Sequence, residues 1–82
     1  MDWETVGFVK ASNVRERILR AVSAKPSAPK DLTKNLGLNF SQVSHGLHDL
    51  MERGLVECLT EDRRKGKIYS ATREGRSVTD RL

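Results

Sequence analysis

Hydrophobic residues follow helical spacing through the first two thirds of the chain, and they alternate with polar residues in two short segments after it. The first helical pattern spans residues 13–24. Its inner face would hold Val14, Ile18 and Val22. Asn13 and Glu16 have the spacing of a capping box, which predicts the start of this helix. Pro26 disfavours helix at the residue before it and therefore predicts the end.

Two more helices are predicted, with a tight turn between them. Pro29 opens the first one, over residues 29–36, because the missing proline N–H costs nothing in a first helical turn. Ser27 is the expected cap of this helix. Gly37 would end it in the left-handed conformation that glycine adopts readily.

The third helix is predicted over residues 40–53. Asn39 and Gln42 form a second capping box at its start. Its apolar face would hold Val43, Leu47, Leu50 and Met51. Gly46 lies near the rim of that face, although glycine destabilises a helix by roughly 1 kcal/mol relative to alanine. We therefore expect a close approach to a neighbouring backbone, either that of the 29–36 helix or a bound phosphate.

Two β-strands are predicted after the helices, over residues 56–60 and 67–71, and a charged turn joins them into a hairpin. Thr72 would cap a short last helix. Residues 1–12 mix aromatic and β-branched side chains before the first helical pattern, so we predict an extended arm or short strand there.

The 82 residues support one domain with a small core. Its predicted parts are 1–12 (arm or strand), 13–56 (three helices), 56–71 (hairpin) and 72–82 (last helix). Lys and Arg number 15 against 11 Asp and Glu, which gives a net charge of +4. Seven basic and two acidic residues follow residue 62, so that part carries +5 and the rest carries −1. This uneven distribution favours a polyanionic partner.

A single cysteine, Cys58, excludes an internal disulfide and a multi-thiolate zinc site, which suits a reducing compartment. The sequence shows no stretch for a membrane span and no secretion signal, so we expect a cytoplasmic protein without membrane association. No glycine-rich phosphate loop and no Ser, His and acid grouping is recognisable. We therefore expect neither an enzyme with a small-molecule substrate nor a cofactor.

Three helices, a turn containing glycine and a basic hairpin form the winged helix-turn-helix arrangement. Residues 31–38 resemble the positioning helix and turn of ArsR-like and MarR-like regulators of bacteria and archaea. Residues 43–50 and 52–57 resemble the recognition helix and wing entry of that family, and residues 69–76 resemble its wing exit. The resemblance implies an α+β, mainly α fold: a three-helix bundle with a C-terminal β-hairpin wing and a short last helix. It also implies a transcriptional regulator that binds double-stranded DNA.

The predicted third helix carries polar residues opposite its apolar side: Ser41, Gln42, Ser44, His45 and His48. In the resemblance, these positions match those that meet DNA. A helix fits the major groove, where base edges carry distinct donors and acceptors. Gln42 is the best single candidate for a base contact, because its amide can both donate to and accept from an adenine edge.

Four cations crowd the tip of the predicted hairpin: Arg63, Arg64, Lys65 and Lys67. Their mutual repulsion gives no folding benefit and a polyanion would relieve it. A charge run alone is more often an ordinary solvated turn, but its position after a helix-turn-helix favours contacts with the DNA backbone. Five further cations could add phosphate contacts: Arg15, Arg17, Arg20, Lys30 and Lys34.

Other interpretations of these residues compete with DNA binding. His45 and His48 have a spacing that suits one metal ion, but a site needs more ligands than Asp49 and Cys58 offer nearby, so no metal is expected. A winged helix can also serve as a protein-interaction module without DNA binding. That alternative stays open, although such modules tend to have an apolar or acidic face where this chain is polar and uncharged.

Three aromatic residues do not fit the simple pattern. Phe40, at the start of the predicted recognition helix, is expected to pack under the wing or against the 29–36 helix, with a thymine methyl contact as the alternative. Trp3 and Phe8 would either dock on the core of their own chain or cover a second subunit. A homodimer is favoured, because two half-sites add base contacts.

Overall fold

The computed structural model describes residues 3–82 and folds them into five helices and one two-stranded sheet. In chain order these are α1 (Trp3–Lys10), α2 (Asn13–Ala24), α3 (Pro29–Leu36), α4 (Phe40–Glu52), β1 (Val56–Cys58), β2 (Tyr69–Ala71) and α5 (Arg73–Thr79). The α+β, mainly helical class is confirmed. Met1 and Asp2, the beginning of the predicted arm, lie outside the described residues. Between residues 3 and 82, every helix is too short or too polar to cross a bilayer.

The N-terminal segment is helical, so its prediction as an extended arm or strand is wrong for residues 3–10. Val6 and Val9 are buried in the core and define the inner face of α1. A helix of this length is marginal in water by itself, so tertiary packing decides its conformation. Arg15 of α2 holds α1 in place, because its guanidinium donates two hydrogen bonds to the Phe8 carbonyl, at 3.0 and 2.6 Å.

The bounds of α2 match the prediction, but another residue caps it. Ser12 occupies the extended N-cap position, and its hydroxyl accepts a hydrogen bond of 3.2 Å from the Arg15 N–H. The predicted Asn13 and Glu16 capping box is wrong, because Asn13 is already the first helical residue. Glu16 instead forms an ion pair of 3.1 Å with Arg20, one turn later.

Helix α3 covers the predicted residues and begins without a side-chain cap. Its N-cap is Ala28, so the role expected of Ser27 is wrong. Ser27 forms a β-bridge with Tyr69, in which each N–H donates to the other carbonyl at 2.9 Å. This isolated bridge attaches the segment before α3 to β2. Gly37 ends α3 with a φ of 67°, in the predicted left-handed conformation.

The hairpin has shorter strands than predicted, with three residues on each side. Val56 pairs with Ala71 and Cys58 pairs with Tyr69 in an antiparallel register. One more backbone hydrogen bond, 2.8 Å long from residue 59 to residue 68, extends the pairing beyond the strands. The remaining residues, 60–67, form a polar loop.

All seven elements contribute buried side chains to one core: Val6, Val9, Ile18, Leu19, Val22, Leu32, Val43, Leu47, Leu50, Leu55, Val56, Ala71 and Val78. Gly46 of α4 faces this core, because a Cβ added to it would lie 2.5 Å from Ile18 Cδ1. The close approach expected at Gly46 is therefore present, but the neighbour is a side chain of α2. Both partners predicted for it, the backbone of α3 and a phosphate, are wrong.

Helix α5 ends at Thr79 and is shorter than predicted. Thr72 caps it as expected, since its hydroxyl accepts a hydrogen bond of 3.1 Å from the Gly75 N–H. The same hydroxyl donates a hydrogen bond of 2.7 Å to the carbonyl of Gly54. Gly75 is buried, and an added Cβ would lie 2.1 Å from the Leu55 carbonyl oxygen. Only glycine lets α5 approach the backbone so closely at this point.

Candidate nucleic-acid interface

Helix α4 begins with a complete capping box. The side-chain oxygen of Asn39 accepts a hydrogen bond of 2.7 Å from the Gln42 N–H, and the side-chain oxygen of Gln42 accepts one of 3.0 Å from the Asn39 N–H. The prediction of this box is confirmed. The second hydrogen bond also turns the Gln42 side chain back toward the start of the helix and uses one of the two lone pairs of its carbonyl oxygen.

The two sides of α4 differ in burial as the sequence predicts. Its buried residues are Val43, Gly46, Leu47 and Leu50. Five predicted contact residues, which we call the polar face of α4, are all exposed: Ser41, Gln42, Ser44, His45 and His48. The side chain of Met51, which was expected on the apolar side, is 38% exposed.

The polar face divides into a centre and two flanks. At about 100° per residue, Ser41, His45 and His48 lie opposite the buried side and form the centre. Ser44 lies on the flank toward the hairpin, where it lines a hollow. Gln42 lies on the other flank, in a hollow beside α2. The two residues therefore face different neighbours.

An acidic residue that the sequence interpretation overlooked also belongs to this surface. Glu52 Oε1 lies 3.1 Å from His48 Nε2, and both side chains are largely exposed. Their spacing of four residues places them one helical turn apart, and this spacing was the available signal. The C-terminal end of the polar face therefore carries a carboxylate, whereas its beginning is uncharged.

The four predicted hairpin cations, which we call the wing cations, project into solvent. Arg63, Arg64 and Lys65 are exposed and Lys67 is half-buried. In the part of the chain that the structure describes, none of the four forms a salt bridge with an acidic side chain. The loop turns at Gly66, which has a φ of 71°. The positive charge of the loop is therefore available to a partner.

A groove separates the polar face of α4 from the hairpin loop. It consists of two adjacent hollows of about 250 and 480 Å³, which share Pro29, Phe40 and Tyr69 in their walls. The first is also lined by Ser44 and His48. The second is also lined by four cations: Lys30, Arg64, Lys65 and Lys67. The structure thus joins two residues of the polar face and three wing cations in one continuous surface.

Phe40 occupies the middle of this groove. Its location between the start of α3 and the hairpin agrees with the expected one, but the expected packing is wrong, because 67% of the side chain is exposed. The side chain of Met51 lines the same groove one turn beyond Leu47. The groove is therefore lined by both apolar side chains and cations.

Arg15 acts as an internal clamp and is not a free cation. Besides its bonds to the Phe8 carbonyl, its guanidinium stacks over the Phe8 ring at 4.0 Å from the centroid. The guanidinium of Arg53 also lies 4.0 Å from that centroid. Asp49 of α4 lies 3.7 Å from Arg15, so this arginine connects α1, α2 and α4.

The other arginines of α2 also have partners inside the fold. Arg17 donates a hydrogen bond to the carbonyl of Leu36 at the end of α3. Arg20 forms its ion pair with an acidic residue one turn earlier. Lys30 and Lys34 are exposed, and Lys30 lies at the groove. Among the five additional cations suggested by the sequence, the two lysines are thus the better placed for phosphate contacts.

Cys58 and Tyr69 face each other across the hairpin. Burial raises the pKa of the Tyr69 hydroxyl, and negative charge on Cys58 raises it further. The Tyr69 side chain lines both hollows of the groove, where its hydroxyl can donate or accept a hydrogen bond. Within residues 3–82, no three His, Cys, Asp or Glu side chains are close enough together to hold a metal ion.

An exposed polar helix that follows a tight turn, with a cationic hairpin beside it, defines a helix-turn-helix protein with a wing. A sequence model of the family described as winged helix-turn-helix matches residues 11–82. The chain belongs to the winged helix-turn-helix family. A comparison with curated proteins gives no match.

Solved structures of regulators share this fold. A transcriptional regulator of the MarR family from Rhodococcus sp. RHA1 is 26% identical over 94% of this chain and 56% of its own, with a TM-score of 0.72. Mb0332 from Mycobacterium bovis, a homodimeric winged helix-turn-helix DNA-binding domain described as a possible ArsR-family transcriptional regulator, is 28% identical over 88% of this chain and 65% of its own, with a TM-score of 0.68.

FabT from Streptococcus pneumoniae, solved in complex with DNA, has the same fold at 19% identity, over 90% of this chain and 57% of its own, with a TM-score of 0.68. The chain thus spans between half and two thirds of the length of these structures. The resemblance to ArsR-like and MarR-like proteins is confirmed. The Rhodococcus protein is described as a transcriptional regulator and Mb0332 as a possible one, in agreement with the class of protein expected from the sequence.

Proposed function

We propose that this chain is the DNA-binding domain of a transcriptional regulator and that it recognises specific sequences in double-stranded DNA. The polar face of α4 enters the major groove, and the wing cations contact the phosphate backbone. The observation that carries this proposal is the continuous surface that joins Ser44 and His48, through Phe40, to the wing cations. One stretch of duplex can contact both parts of that surface at once.

The two parts of the surface have different tasks in this proposal. The polar face is uncharged as far as His48, and hydroxyl and imidazole groups can donate to or accept from base edges. The wing cations carry no sequence information by themselves, but they supply the salt-dependent affinity and fix the register of the helix on the duplex.

A homodimer in the cytoplasm is part of the proposal. It is supported by the homodimeric domain from Mycobacterium bovis and by the exposure of Trp3, whose side chain is 69% accessible at the start of α1. Phe8 docks on its own chain under Arg15, and the more exposed Trp3 ring has the Arg81 guanidinium of its own chain 5.5 Å from its centroid. A second subunit would cover Trp3 and present a second α4 to the next half-site.

Selection of bound sequences from a random duplex pool tests the proposal most directly. We expect an enriched motif, and twofold symmetry within it would report the dimer. Retardation of that motif should weaken steeply with salt, because each phosphate contact releases counterions. If no duplex were retarded at low ionic strength, the proposal would be abandoned in favour of the protein-interaction alternative.

A matched pair of variants distinguishes a phosphate contact of the wing from a general effect of net charge. Arg64→Ala should weaken binding to all sequences and lower the salt slope by about one unit. Lys10→Ala removes the same charge from α1, no residue of which lines the groove, and should leave the slope unchanged. Equal slopes for the two variants would contradict a contact between Arg64 and phosphate.

A further inference from the structure

Phe40 is a large apolar side chain left in solvent at the first residue of α4. Val43, Leu47 and Leu50 of the same helix are buried, whereas Phe40 is 67% exposed. Single exposed apolar residues are common, but this one lies in a groove with Pro29 and the partly exposed Met51. It therefore belongs to an apolar strip beside the polar face.

The position of Gln42 bears on how α4 reads a base. A bidentate contact with adenine uses the amide oxygen and the amide nitrogen of glutamine in one plane. In this structure the oxygen accepts from the Asn39 N–H at the start of the helix. This bond uses one of the two lone pairs of the oxygen and fixes the direction of the amide, which restricts such a contact while the cap is present. The hairpin-side flank, with Phe40 and Ser44, is not restricted by that bond.

The cations beside the apolar strip indicate which kind of partner the strip can contact. Lys30, Arg64 and Lys67 line the hollow around Phe40. A partner that fits must bring both an apolar group and anionic groups to this hollow. Duplex DNA does both in its major groove, where the thymine methyl is the apolar group on a base edge and the phosphates follow the groove edges.

We propose that Phe40 is a specificity-determining residue that contacts the C5-methyl group of a thymine next to the bases met by Ser44. This inference rests on the proposed function and deepens it, because it names the base and the chemical group that the hairpin-side flank of α4 reads. It assigns to Phe40 the apolar part of the recognition and to Ser44 the polar part on the same flank.

Uracil substitution tests the inference with one methyl group as the only change. In the selected duplex, each thymine is replaced singly by deoxyuridine, and affinity is measured for the whole chain. We expect one position at which the unmodified protein binds deoxyuridine roughly fourfold more weakly, the factor for burial of about one methyl group. Phe40→Ala should bind both probes equally at that position and still bind the duplex.

Two further variants control for structure. Leu59→Ala removes another large apolar side chain that is 53% exposed but does not line the groove, so it should keep the preference for thymine. Phe40→Leu keeps an apolar side chain and should retain part of the preference. Urea unfolding curves of each variant separate any loss of folding from a loss of recognition.

The outcomes are distinguishable. Binding without a methyl effect at any position, or a Phe40→Ala variant that keeps the methyl effect, would overturn the role of Phe40 and leave the proposed function intact. A Phe40→Ala variant that loses affinity for both probes by the same factor would also overturn it. The preference for thymine would then be unchanged, and the loss would come from packing and not from the methyl contact. Absence of binding to every duplex would overturn both proposals together.

Discussion

The side-chain oxygen of Gln42 accepts the Asn39 N–H at 3.0 Å, so the residue that looks best suited to read a base also caps the helix that carries it. Gln42→Ala should therefore lower the free energy of unfolding by about 0.5 kcal/mol, the lower end for one net hydrogen bond. Gln42→Glu can keep the capping bond and adds a carboxylate near the positive end of the helix dipole. Its stability, measured in urea, should equal or exceed that of the unmodified protein.

The same two variants should separate capping from recognition in a retardation experiment. Gln42→Glu should bind all duplexes more weakly, because its carboxylate faces phosphates. Gln42→Ala should keep most of the affinity, with a relaxed sequence preference if Gln42 also contacts a base. A stable Gln42→Glu variant with undiminished affinity would show that this flank of α4 lies away from DNA.

Glu52 places a negative charge beside His48 on the surface proposed to meet DNA. Glu52→Gln should raise affinity roughly threefold at low salt, and the gain should shrink as salt screens the charge. Glu74→Gln removes the same charge from the exposed start of α5 and is the matched control. If both variants gained equally, the cause would be net charge and not the position of Glu52.

Gly75 and Gly46 both lack room for a side chain, but the neighbouring atoms differ. A Cβ on Gly75 meets a backbone carbonyl at 2.1 Å, whereas a Cβ on Gly46 meets the terminal carbon of Ile18 at 2.5 Å. Gly75→Ala should lower the free energy of unfolding by about 2 kcal/mol or more, because the backbone must move. Gly46→Ala should cost less, since Ile18 can shift and alanine favours the helix by about 1 kcal/mol. Urea denaturation that gave the reverse order would contradict this explanation.

Arg15 should behave as a structural residue in mutagenesis. Lysine keeps its charge but cannot supply two hydrogen bonds to the Phe8 carbonyl while stacking on the ring. Arg15→Lys should therefore lower the free energy of unfolding by roughly 1.5 kcal/mol. Arg20→Lys changes an exposed ion pair and should have little effect. An Arg15→Lys variant with unchanged stability but weaker DNA binding would instead mark Arg15 as a phosphate contact.

Sequence pattern and local chemistry were sufficient where a rule acts within a few residues. The Asn39 and Gln42 box, Pro29 in the first turn of α3 and the left-handed Gly37 all follow from local signals, whereas the side-chain caps predicted for α2 and α3 are wrong. The five residues of the polar face are exposed for the same reason, since helical spacing alone separates them from the buried side.

The remaining features depend on contacts between distant parts of the chain. Helix α1 has a weak pattern of its own, and its position depends on Arg15, which is seven residues beyond Phe8. The bridge between Ser27 and Tyr69 joins residues far apart in sequence, and no local motif predicts an isolated β-bridge. The groove around Phe40 likewise exists only after the hairpin folds back beside α3 and α4.

The hydroxyl of Thr72 bonds the carbonyl of Gly54, eighteen residues earlier, and so closes the base of the hairpin independently of its tip. Because the base is closed in this way, the loop between the strands can be replaced without disturbing the rest of the fold. Its length and charge can change while the orientation of α4 and the start of α5 stays fixed. On the proposed function, changes in this loop are expected to alter DNA affinity and its salt dependence without a new fold and without a change in the bases that α4 contacts.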